Sequence, residues 1–123
     1  GGGAALCYIS AKMKKQQETK EIQRGYNLVK EVLKEPFIKI LDNANRKTKL
    51  NYWQFWRKDY ITPAQKEYGV GYDATKDEIT NLFDAGIIDS KKSIRVALES
   101  ATERAIQMFN IGVICLFPEE MKL

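Results

Sequence analysis

Histidine is missing altogether from the 123 residues, and cysteine occurs only twice. Without histidine, neither a Ser-His-Asp nor a Cys-His nucleophile can be assembled, and the common zinc sites lose their usual ligand. Cys7 and Cys115 lie at opposite ends of the sequence, each inside an apolar segment. A pair so placed reads as two buried thiols rather than a disulfide or half a metal site. Long apolar runs are absent too. The longest, from Ile111 to Phe117, contains a glycine and falls far short of the ~18–20 residues of a bilayer span. A strong charge of one sign is also lacking: Lys+Arg 20 against Asp+Glu 16 leave a net +4. That excess is too small to imply a polyanionic partner by itself.

What remains is a globular composition, 44% apolar, 11% aromatic and 29% charged, at the length of one ordinary domain. Leu6, Ile9 and Met13 recur at helical spacing from Ala4 to about Lys15, which predicts a short amphipathic helix. A longer helix is expected over 18–34, with Ile22, Tyr26, Val29 and Leu33 on one stripe. Glu35-Pro36 breaks that register, and Pro36 suits the first turn of a new helix that buries Phe37, Ile40 and Leu41. Residues Arg46 to Gly71 have no clean period and read as a loop with some local structure. Thr75 and Glu78 stand at capping-box spacing. They predict a short helix with Ile79, Leu82 and Phe83 on its apolar face, ended by Gly86. Asp89-Ser90 can cap the last helix, along which Ile94, Ala97, Leu98, Ala101, Ala105 and Met108 line one side. Ile111 to Phe117, rich in β-branched residues and stopped by Pro118, reads as a strand.

Four features bear on function, and each has a plainer alternative. Gly1-Gly2-Gly3 runs straight into a helix; glycines let a backbone approach an anion at a helix start, although an expression scar would look the same. The turn Gly71-Tyr72-Asp73-Ala74-Thr75 is either a capped turn or a ligand border. Asp89 is either a helix cap or an acceptor for ribose hydroxyls. The stretch 46–58 interleaves Lys47, Lys49, Arg57 and Lys58 with Tyr52, Trp53, Phe55 and Trp56. Such a surface can bind single-stranded nucleic acid, but aromatics packed on their own protein are commoner.

Taken together, Val70-Gly71-Tyr72-Asp73-Ala74, Asn81, Ala85-Gly86-Ile87-Ile88-Asp89, Arg95 and Ala97-Leu98 resemble one family. They look like the C-terminal part of the equatorial domain of group I chaperonins, the GroEL type. Gly1-Gly2-Gly3 followed by Ala5-Leu6 is similar to that family's Gly-Gly-Gly-x-Ala-Leu, and Gly25 and Pro36 keep its spacing. Ser90 stands where the family usually has proline, and Thr75 and Lys76 replace its commoner Ala and Thr. The stretch between Pro36 and Tyr72 is longer than usual, as in a divergent member.

The resemblance implies a mainly α fold, helices plus a short strand near the C-terminus, with residues 1–123 forming the C-terminal portion of an equatorial ATP-binding domain. Its N-terminal half and the intermediate and apical domains would belong to a longer chain. By the same resemblance, Gly2 approaches the nucleotide, Asp73, Ala74 and Thr75 border adenine and ribose, and Asp89 binds the ribose hydroxyls. No catalytic residue and no metal ligand is expected in this segment, since the family's phosphate loop and catalytic aspartate lie elsewhere. The implied cofactors are ATP and Mg²⁺. The implied partners are identical subunits in a homo-oligomeric ring, non-native client proteins and, undecided by the sequence, a co-chaperonin. Neither a membrane nor nucleic acid is an expected partner, and a cytoplasmic location is the expectation, with an organelle matrix also open. The alternative from a different class is a small helical nucleic-acid or protein-binding module that uses residues 46–58.

Overall fold

A computed structural model describes residues 1–14, 19–44 and 53–112, with backbone alone over 53–58. The chain divides into two compact units, Gly1–Ile88 and Asp89–Leu123.

The first unit starts with α1 (Ala4–Lys12), whose opening comes from the glycines before it. Gly2 and Gly3 hold φ of 62° and 76°, a left-handed conformation that costs any residue with a Cβ about 1–2 kcal/mol. The turn is closed by the Ala4 N–H donating to the Gly1 carbonyl at 3.1 Å, and the helix begins with the Cys7 N–H on the Gly3 carbonyl at 3.1 Å. Ala4, Cys7 and Ser10 fall on the buried face, spaced three apart.

Helix α2 (Lys20–Val32) starts at Thr19, whose hydroxyl accepts from the Ile22 N–H. Its predicted stripe is only partly covered: Leu33, just past its end, is buried, while Ile22 and Val29 stay about half exposed. Helix α3 (Glu35–Ala44) follows the break at Pro36 and buries Phe37 and Leu41, as the periodicity predicts.

The stretch read as a loop contains a further helix, α4 (Trp53–Lys66), with Pro63 inside it. Proline there forfeits one intrahelical bond but sits close to the end, and the ladder resumes with the Glu67 N–H on the Pro63 carbonyl at 3.1 Å. Tertiary packing supplies what local pattern lacked. Ala64 is fully buried, and Tyr60 and Ile61 pack against the core. The Gln65 side chain donates to the Ser10 hydroxyl of α1 at 3.4 Å.

A second difference lies at 70–81. Instead of a capped helix, the chain forms an antiparallel hairpin of β1 (Val70–Asp73) and β2 (Glu78–Asn81), with Val70 opposite Asn81 and Asp73 opposite Glu78. The reason is local chemistry. Asp73 Oδ1, not Thr75, takes the free N–H groups, accepting from Thr75 at 2.8 Å and Lys76 at 3.4 Å. Val70, Tyr72, Ile79 and Thr80 are all strand formers. A turn over 82–86 follows, and Gly86, expected to end a helix, closes this turn with φ of 71°. The core gathers Ala4, Cys7, Phe37, Leu41, Ala64, Tyr72 and Leu82, from α1, α3, α4, the hairpin and the turn after it.

The second unit holds α5 (Lys91–Phe109), with Ser90 at its N-cap position and no side-chain cap bond. Arg95 and Glu99 pair at 3.6 Å across one turn, as their spacing predicts. Leu98 and Met108 of its apolar side are exposed, as are Val96, Ile106 and Phe109. The strand expected over 111–117 lies outside the described residues beyond Gly112, and Ile111 and Gly112 are not in a strand. Among the described residues no helix is long and apolar enough to cross a membrane.

Candidate functional site

Three segments distant in sequence meet in the first unit. A Cβ built on Gly1 would lie 2.6 Å from the Ile87 carbonyl oxygen and 2.9 Å from the Ile88 nitrogen, so the glycine lies flat on that peptide. A Cβ on Gly2 would meet the Tyr72 carbonyl oxygen at 3.8 Å and the Ile87 Cγ2 at 4.0 Å, which is ordinary contact distance. Behind them, Gly3 backs onto the start of α3, where a Cβ would come within 2.6 Å of the Phe37 nitrogen. The triplet is therefore wedged between the end of β1 and the Ile87-Ile88 peptide on one side and α3 on the other. Gly1 and Gly3 are enclosed by backbone, whereas Gly2 has room at its α-carbon.

The end of β1 sets the other wall. Asp73 is buried, and its carboxyl is held below its ordinary value, chiefly by the Thr75 N–H donated to it, with Lys76 adding a weaker backbone bond and its charge. Both main-chain N–H groups are accepted by Oδ1, so one oxygen of Asp73 fixes the loop that follows. Ala74 and Thr75 lie in that loop and are exposed. Tyr72 is buried edge-on to Tyr60, with ring centroids 5.3 Å apart. Its hydroxyl donates to Asp77 Oδ1 at 2.8 Å. Burial, then that bond, push the Tyr72 hydroxyl up to about 12.

Of the five residues predicted at the site, the structure gathers Gly2 and Asp73 at one corner and carries Ala74 and Thr75 on the hairpin loop rather than at a helix start. Asp89 opens the second unit, directly after Ile88 in the chain, and is exposed. Motif reading named Tyr72 only as part of its turn, with no role of its own, and passed over Asp77. A tyrosine five positions before an aspartate carries no signal until the hairpin closes. Of the basic aromatic segment, 46–52 and the side chains of 53–58 lie outside the described residues. Among the described residues no group of three or more acidic or cysteine side chains is placed to hold a metal ion.

Residues 1–116 match the TCP-1/cpn60 chaperonin family, and the chain belongs to that family. No solved structure matches the chain.

Proposed function

We propose that this chain is the C-terminal portion of the equatorial domain of a group I chaperonin and that it supplies the nucleoside side of an ATP site. The observation that carries this reading is the apposition of Gly1-Gly2 with the Tyr72 carbonyl and the Ile87 residue. It makes one corner of the three segments whose residues resemble the family's nucleotide contacts. The residues present suit the nucleoside of ATP in two respects. Gly2 leaves a space that a Cβ would fill, and the Asp73 bonds fix the backbone of Thr75 and Lys76.

In this reading Gly2 lets the backbone come close to the nucleotide, and Asp73, Ala74 and Thr75 border adenine and ribose, with the Asp73 bonds fixing that turn. Asp89 accepts hydrogen bonds from the ribose hydroxyls. ATP with Mg²⁺, when bound, supplies the phosphoryl chemistry. The phosphate loop, the Mg²⁺ ligands and the catalytic aspartate belong to the rest of a longer chain. The residues of this segment bind and orient. The complete protein would form a homo-oligomeric ring in the cytoplasm or an organelle matrix, with subunit contacts in part from this segment. It would fold non-native clients at the expense of ATP, with or without a co-chaperonin.

The test is Asp89→Ala in the complete chain, with ATP affinity read by calorimetry. Loss of one acceptor for a hydroxyl pair is expected to weaken binding about five- to tenfold. Unchanged affinity removes Asp89 from the site.

A further inference from the structure

We propose that Tyr72 and Asp77 form a clamp that positions the 74–77 loop for the nucleoside, which makes them two positioning residues of the nucleotide site. This inference rests on the nucleotide reading of that loop.

Ala74, Thr75, Lys76 and Asp77 are all exposed, so side-chain packing does not hold the loop. Its shape depends on hydrogen bonds at its two ends. The near end is fixed by Asp73 Oδ1, which accepts from the Thr75 and Lys76 N–H groups. The far end turns at Asp77, whose φ is 57°. A residue with a Cβ adopts that conformation at a cost, which aspartate offsets when a local hydrogen bond holds its short side chain. The contact that does so is the Tyr72 hydroxyl, which donates to Asp77 Oδ1 at 2.8 Å.

Tyr72 is suited to be the fixed post of such a clamp. It is 3% exposed, it packs edge-on against Tyr60, and it pairs across the hairpin with Ile79. Its hydroxyl keeps its proton well above physiological pH, so the donor is always present. Its carbonyl is also the nearest atom that a side chain on Gly2 would meet. One residue therefore sets the glycine wall through its main chain and the loop through its side chain. A displacement of the loop would move Ala74 and Thr75 relative to Gly2 and leave the triplet untouched.

The experiment measures ATP affinity by calorimetry in the complete chaperonin chain, for the parent, Tyr72→Phe, Asp77→Gly, Asp77→Asn and Asp89→Ala. Tyr72→Phe keeps the buried ring, and Asp77→Gly suits the positive φ, so both spare the fold while removing the bond. Each is expected to weaken ATP binding about five- to tenfold, because the loop must then be ordered on binding rather than beforehand. Asp77→Asn, whose amide oxygen still accepts, is expected within about twofold of the parent. A merely structural role for Asp77 makes the opposite prediction, since glycine would relieve the strained turn and leave binding intact. Parent-like affinity in Tyr72→Phe or Asp77→Gly overturns the clamp, as does an Asp77→Asn variant as weak as Asp77→Gly. If Asp89→Ala still weakens binding in that case, the site reading stands alone. A parent that binds no ATP overturns both.

Discussion

Three glycine-to-alanine substitutions should separate backbone strain from steric exclusion in the first unit. Gly3→Ala meets both. Its φ of 76° costs alanine about 1–2 kcal/mol. Its Cβ would also fall 2.6 Å from the Phe37 nitrogen and 2.9 Å from the Phe37 Cα, atoms of a backbone that cannot swing aside. Relief requires shifting the start of α3, which carries the buried Phe37 and Leu41. Overpacking of that kind costs about 1–3 kcal/mol more, so the total is about 2–5 kcal/mol. Gly2→Ala has a similar φ, 62°, but its nearest neighbours stand at 3.8 and 4.0 Å, so the strain alone remains. That is about 1–2 kcal/mol. Gly25→Ala lies inside α2 with nothing within 4 Å of the new methyl and should stabilise the helix by about 0.5–1 kcal/mol. The assay is native-state hydrogen exchange on the complete chain, read in peptides over 4–12, 20–32 and 35–44, where about 1.4 kcal/mol is a tenfold change in protection. The order expected is Gly25→Ala above the parent, then Gly2→Ala, then Gly3→Ala at least about thirtyfold below the parent in α1 and α3. Equal protection in the two triplet variants would refute the close approach of Gly3 to α3.

Three further outcomes follow from the same geometry. Asp73 has its carboxyl lowered by the Thr75 N–H, so the unfolded chain binds that proton more readily than the folded one. Its contribution is present above the unfolded value, about 3.9, and is lost as pH falls through the lower folded value. Acid titration of hairpin exchange in the parent should therefore steepen below about pH 4, and Asp73→Asn should lack that arm; matching slopes would dismiss it. Cys7 is buried, and desolvation, opposed in part by the Lys34 charge, pushes its thiol up to about 11. In a Cys115→Ser background it should resist thiol reagents at pH 8 until urea opens the unit, and prompt labelling in native buffer would contradict the burial. The isolated segment leaves Leu28, Val29 and Val32 of α2 and Leu98, Ile106, Met108 and Phe109 of α5 exposed. It should bind a hydrophobic dye and self-associate, whereas a monomer with a cooperative, reversible unfolding transition would speak against a partial domain.

Much of the fold was legible from residue spacing. The positions of helices α1, α2, α3 and α5 follow from apolar periodicity and from Pro36, because a helix is written by contacts three and four positions apart, although α1 buries Ala4, Cys7 and Ser10 and leaves the predicted Ile9 exposed. Family membership was legible as well, in short runs such as Gly-Gly-Gly-x-Ala-Leu and Gly-Ile-Ile-Asp. Helix α4 and the hairpin were not. In 53–66, aromatic and charged residues alternate without a clean stripe, and Pro63 argues locally against a helix. The helix stands because Tyr60, Ile61 and Ala64 find α1 and the core, and Gln65 finds Ser10. At 70–81, Thr75 and Glu78 have helix-start spacing, and Ile79, Leu82 and Phe83 fit a helical face. Only pairing of Tyr72 with Ile79, and capture of the Thr75 and Lys76 N–H groups by Asp73, turned the segment into strands.

The candidate site divides in the same way. The sequence by itself determined its residue types, a glycine triplet before a helix and an Asp-Ala-Thr turn, since these are local backbone requirements. That Gly2 faces the Tyr72 carbonyl, that Gly1 lies on the Ile87-Ile88 peptide, and that Tyr72 reaches Asp77 were decided by tertiary structure alone. Contacts between the first residues of the chain and positions 72 and 87 depend on how α1, α3, α4 and the hairpin share one core, and no local spacing encodes that.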